Sequence, residues 1–108
     1  MTQLPLLVKT YVEAANAEDA QGVAACFQAD GIVHDDGGTW RGRAAIAEWT
    51  RETSERYHAT IVPRDLAEVD GTYRLQASVS GNFRGSPAVL TFAFVLGTDG
   101  IASLEVTA

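Results

Sequence analysis

Apolar residues near the start of the chain recur every three or four positions. Leu4, Leu7, Val8, Tyr11, Val12 and Ala15 make one stripe, which predicts a helix over about residues 3–16. Pro5 falls in its first turn, where a missing N–H does no harm, and Asn16 is its expected stop. Asp19 is placed to cap a short second helix whose inner face carries Val23 and Phe27. Ala29, Asp30 and Gly31 then turn the chain into a brief strand from Ile32 to Asp35, which Asp36, Gly37 and Gly38 end. Thr39 to Arg41 add a short extended piece, and Gly42 precedes a third helix of about 43–57. Ile46, Trp49, Thr50, Thr53 and Tyr57 share its buried face, while Glu48/Arg51 and Glu52/Arg56 are neighbours on the outer one.

From residue 58 the period falls to two. His58 to Val69 reads as a strand that Pro63 must interrupt, by a bulge or by lying at a sheet edge. Asp70-Gly71 is a two-residue hairpin signal. Tyr73, Leu75, Ala77, Val79, Gly81 and Phe83 then alternate with Thr72, Arg74, Gln76, Ser78, Ser80 and Asn82. Arg84 to Pro87 turn the chain, and Val89 to Leu96 is apolar on both faces apart from Thr91, which predicts a central strand. Thr98, Asp99 and Gly100 turn again into a last strand with Ala102, Leu104 and Val106 on one face. Helices first and strands last predict an α+β fold, with three N-terminal helices on one face of a curved antiparallel sheet. Such a sheet can curl around its helices and leave a concave pocket, and Tyr11, Phe27, Trp49, Tyr57, Phe83, Phe92 and Phe94 are the aromatics expected to face inward.

The chain has 108 residues, which predicts a single domain over 1–108. Eight basic residues against fourteen acidic ones give a net charge of −6. No basic patch forms, so neither nucleic acid nor an anionic membrane surface is an expected partner. No apolar run approaches the roughly 20 residues that span a bilayer. Cys26 is the single cysteine, so no internal disulfide can form. The opening stretch lacks a basic start followed by a long apolar run; no signal peptide is expected, and a cytoplasmic setting is.

Candidate chemistry gathers near residue 35. A carboxylate at Asp35 inside an apolar hollow would have its pKa raised, which suits a general base. His34 beside it is a second candidate acid or base. Strand alternation puts the two on opposite faces, so one of them faces the pocket, and the pattern leaves open which. Tyr11 can offer a phenol from the first helix or serve as a core aromatic. Trp40, Trp49, Phe27, Phe83, Phe92 and Phe94 are candidates to line a site for a small apolar molecule, with Trp40 at its mouth. Arg41 and Arg43 flank Trp40 and are placed to meet a ligand carboxylate. Cys26 is read as core. His34, His58 and scattered acids make no metal-ligand signature, so no metal or other cofactor is expected.

The stretch from Tyr11 to Asp19, then Ala25 to Asp30, Ile32 to Asp36, Trp40 to Ile46 and Trp49, resembles the nuclear-transport-factor-2-like superfamily, nearest its SnoaL-like polyketide cyclases and ketosteroid isomerase. The resemblance covers essentially the whole chain. It implies a cystatin-like conical domain with a deep pocket, pairing as a homodimer through its sheet. Carried over residue by residue, it places Tyr11 on the isomerase's tyrosine donor and Asp35 on its aspartate base. The second acid of that machinery falls on Phe94 or Phe92, and its supporting tyrosine falls on Thr50, so half of the oxyanion hole is absent. Steroid isomerisation itself is therefore not expected. The resemblance implies a small acid–base enzyme of isomerase, cyclase or dehydratase type acting on an apolar carbonyl compound. A non-catalytic binder of a hydrophobic ligand and a dimeric interaction protein with a filled cone are the alternatives. An open pocket holding a carboxylate favours the enzyme, a wholly apolar pocket the binder, and a plugged cone the interaction protein.

Overall fold

The computed structural model describes residues 4–108, so Gln3, the first residue of the expected opening helix, lies outside the described residues. Helix α1 runs Leu6–Asn16, with Val8, Tyr11 and Val12 buried along the predicted stripe. Helix α2, Ala20–Ala25, starts where Asp19 accepts a hydrogen bond from the Gly22 N–H at 3.0 Å. Helix α3, Arg43–Tyr57, buries Ile46, Ala47, Trp49 and Thr50. It stops at His58, whose φ of 45° leaves the helical region. The third strand therefore begins at Thr60, not at His58.

Six strands form one sheet in the order β2-β1-β6-β5-β4-β3. They are β1 Phe27–Asp35, β2 Gly38–Arg41, β3 Thr60–Val69, β4 Thr72–Ser80, β5 Ala88–Leu96 and β6 Ile101–Thr107. The last four make the expected meander, and β5 lies inside the sheet between β6 and β4. Asp70 and Gly71, both at positive φ, close the β3–β4 hairpin. Pro63 sits beside a register shift on β3, which is also an edge strand, so both accommodations of a missing N–H occur together.

Three expectations need correction. The first strand does not begin at Ile32. Phe27 already pairs with Ile101, and the register shift before Ile32 absorbs Ala29, Asp30 and Gly31 as a bulge rather than a turn. Phe27 thus opens β1 instead of sharing the short helix with Val23, although both are buried. The sheet is also not wholly antiparallel, because β1 runs parallel to β6. β4 ends at Ser80, before Phe83. The Asn82 N–H donates to the Tyr57 carbonyl at 2.7 Å, and a Cβ on Gly81 would stand 2.6 Å from that same oxygen. Only glycine lets the chain pass so close to the end of α3.

The helices pack on one face of the sheet. Tyr11, Phe27, Phe92 and Phe94 form the aromatic centre of the core, with the Tyr11 and Phe94 rings edge-on at 5.4 Å.

Candidate active site

Asp35 ends β1. Alternation from Val33, which is fully buried, sends the Asp35 side chain to the inner face. There it heads a cross-sheet row that continues through Val106, Phe92, Leu75 and Leu66. Every other member of that row is apolar. Its one donor comes from across the hollow: the Trp49 indole Nε1–H on α3 donates to Asp35 Oδ2 at 3.0 Å. Burial pushes the Asp35 carboxyl above the usual carboxylate range, the Trp49 hydrogen bond restrains that rise, and the Asp36 charge adds to it.

Tyr11 approaches from α1. Its ring is buried, and the residue lines the same hollow as Asp35. Burial, then the negative charge of Asp35, raises the phenol's pKa, so the group stays protonated and able to donate.

Both side chains line one cavity of about 570 Å³, within the range of small-molecule sites. Trp40, Trp49, Phe83, Phe92, Leu90 and Ile61 supply much of its apolar wall. Trp40 reaches it because Gly38 has no side chain: a Cβ there would stand 2.6 Å from the indole ring, which tilts toward Trp49 at 6.2 Å between centroids. Thr50 and Thr53 also face the cavity, but their hydroxyls donate to the Ile46 and Trp49 carbonyls, both at 2.9 Å. Asp36, Glu52, Arg56 and Arg84 are exposed lining residues and form the mouth.

His34 points the other way. It is exposed on the outer face, where Nδ1 lies 3.2 Å from the Thr39 hydroxyl of its pairing partner on β2. The strand's two-residue period thus brings Asp35, and not His34, to the cavity. Phe27 and Phe94 are fully buried beneath Tyr11 and do not line it. Arg41 lies outward next to Trp40, and Arg43 turns its Nε–H to the Phe27 carbonyl at 3.0 Å. Arg43 instead borders a separate open hollow of about 600 Å³ between α2 and α3, walled by alanines and Arg51. That hollow is as large as the first, yet it contains no carboxylate or phenol, and Arg51 is paired with Glu48 at 3.2 Å. Cys26 is buried, its thiol donates to the Gly22 carbonyl at 3.3 Å, and burial, then the Asp19 charge, pushes its pKa up. Among the described residues no group of three or more His, Cys, Asp or Glu side chains comes together.

Sequence reasoning did not find Arg84, Leu90, Ile61 or the Trp49–Asp35 bond as parts of the site. Arg84 sits in a turn, where an arginine carries no periodic signal. The indole bond joins residues 14 apart that only the tertiary fold brings together.

The SnoaL-like domain family matches residues 8–101. The chain is similar to a candidate polyketide cyclase from Sinorhizobium meliloti, at 30% identity and a TM-score of 0.91, covering 96% of this chain and 95% of that one. It is also similar in fold to a ketosteroid isomerase-like protein from Catenulispora acidiphila solved in complex with trimethylamine, at 18% identity and a TM-score of 0.86, covering 98% and 87%. A third likeness is to an epoxide hydrolase/cyclase-like enzyme of pyran-ring formation in the polyether salinomycin, at 19% identity and a TM-score of 0.79, covering 94% and 86%. The architecture is the cystatin-like fold. No protein of curated function matches the sequence.

Proposed function

The chain belongs to the SnoaL-like domain family, and on that premise we propose that it is a small acid–base enzyme that removes a proton from the carbon beside a carbonyl group in an apolar compound. One observation carries this reading: a carboxylate made more basic and a phenol kept protonated share a single apolar cavity. Trp49 occupies Asp35 Oδ2, so Oδ1 is the oxygen free to take the proton. The C–H electron pair then moves into the carbonyl, and the enolate oxygen accepts a hydrogen bond from Tyr11. Return of the proton from Asp35 to another carbon of the conjugated enolate gives isomerisation; attack of the enolate carbon on a second carbonyl of the same molecule, whose oxygen takes the electron pair and then the proton from Asp35, gives cyclisation.

The cavity holds fewer donors than a full oxyanion hole. Thr50 has its hydroxyl hydrogen committed to Ile46, and Phe92 and Phe94 have none to give. A missing donor of this kind typically costs about 10²–10³ in rate. The geometry therefore favours substrates whose proton is already acidic, such as β-dicarbonyl compounds. The missing donor also favours the second reading, a binder that performs no chemistry.

Deuterium uptake at the α-carbon of an apolar β-diketone, 1-phenylbutane-1,3-dione, in D₂O, followed by NMR, separates the two. The enzyme reading expects the wild-type protein to accelerate exchange. Asp35→Asn is expected to lower that acceleration by about 10²–10⁴, and Tyr11→Phe by about 10²–10³. Binding of the ketone with no acceleration would establish the binder instead.

We further infer that two copies pair through the outer face of the sheet. Val62, Ser78 and Val89 form one cross-strand row there and Val69, Thr72 and Val95 another, and all four valines are exposed. Arg74 and Gln76 lie between the two rows, so apolar rows flank a polar strip that can meet its own two-fold copy.

A further inference from the structure

We propose that the cavity selects carbonyl compounds bearing a carboxylate at the end that faces solvent, and that Arg84 is the residue that recognises it. The proposal rests on the reading of this cavity as a carbonyl site and adds the class of ligand.

The interior holds no cation. Its only charged group is Asp35, which repels an anion, so a charged ligand must enter with its uncharged end first. At the mouth the four charged residues are not equivalent. Arg56 lies over the Tyr57 ring, 5.8 Å from its centroid, and Tyr57, Glu52 and Asp36 all favour its charged form. The ring thus engages the Arg56 guanidinium beside its own helix, although Arg56, like Arg84, forms no ion pair among the described residues.

The backbone that carries Arg84 is nevertheless held in place. Its loop, between β4 and β5, is tied to α3 by the Asn82 N–H at the Tyr57 carbonyl, 2.7 Å, and closed on itself by the Gly81 N–H at Ser86 Oγ, 2.9 Å. Neighbouring Phe83 meets the Tyr57 ring edge-on at 5.9 Å and forms part of the cavity wall. Arg84 is therefore a cation whose backbone is anchored at the rim, one residue from the apolar wall, in a chain whose net charge is −6. A guanidinium presents paired N–H donors that match a carboxylate. A ligand lying with its carbonyl toward Tyr11 and its carboxylate toward Arg84 spans the cavity from floor to mouth.

Both tryptophans of the chain line this cavity, so their fluorescence reports its occupancy. The test is titration with anthraquinone carboxylate and with its uncharged methyl ester. The acid is expected to bind about three- to tenfold more tightly, as suits an exposed ion pair, with the difference shrinking as salt is added. Arg84→Gln should bring the two affinities together, and Arg84→Lys should restore part of the preference. Equal binding of acid and ester, a preference that survives Arg84→Gln, or failure of the acid to bind would each overturn the proposal. The same ratio in the Asp35→Asn protein keeps this question apart from catalysis. Selectivity retained there without any turnover in the wild type would sink the enzyme reading alone, whereas turnover without selectivity would sink this one alone.

Discussion

Asp35 is pulled two ways, toward the neutral acid by burial and toward the anion by one indole N–H. Trp49→Phe removes the donor and keeps most of the ring. The acid limb of the α-proton exchange profile is expected to move to higher pH, because nothing then restrains the upward shift. An unmoved limb would show that the indole does not set the basicity of the carboxylate. Stability carries a sign as well. Folded Asp35 holds its proton more tightly than the unfolded group, whose ordinary value is 3.8. The folded state is thus favoured below that interval and loses stability as pH rises through it. Asp35→Asn, which cannot ionise, should melt progressively higher relative to wild type as pH is raised from acid to neutral. At this scale the sequence was half legible. Period two shows that one of His34 and Asp35 must face inward, but the starting phase is set by burial of Val33 against β6, a contact between distant segments. Arg41 falls outside the site in the same way, because it lies on the side of β2 turned away from the hollow.

Among the elements, the edge of β3 is protected by a single side chain. Asn16, the last residue of α1, donates from Nδ2 to the Ile61 carbonyl at 2.9 Å and accepts from the Ile61 N–H at 2.7 Å. An amide thereby supplies the pairing that a further strand would provide, and occupies backbone groups open to non-native partners. Asn16→Ala is expected to cost about 1–3 kcal/mol in urea unfolding, with the loss largest where the α1–β3 junction opens in hydrogen exchange. A loss no greater than that of an exposed helix substitution would count against the clasp. Most elements could be read in advance because their signals are local: the α1 stripe, the Asp19 cap, the Asp70-Gly71 turn. The bulge at residues 29–31 could not, since Ala, Asp and Gly suit a turn equally well and only the parallel register with β6 selects the bulge.

For the whole molecule, the outer face of the sheet lies opposite the face that carries the helices and the cavity. If two copies pair through the exposed valines, Val89→Lys, which places a charge in one of the two valine rows, should shift sedimentation from dimer to monomer while leaving the melting curve of the monomer nearly intact. Wild-type protein that sediments as a monomer would remove the pairing. The layout of the sheet has one more consequence. β6 follows the other five strands in the chain, yet it lies between β1 and β5 and is the strand that joins β1 and β2 to the rest of the meander. Until residues 101–107 leave the ribosome, the two halves have no shared backbone ladder, and Asp35 has no neighbour on its β6 side. The pocket is therefore assembled only once residues 101–107 have been made, and an arrested chain ending at Gly100 should expose its apolar surfaces to chaperones instead of holding a partly formed site.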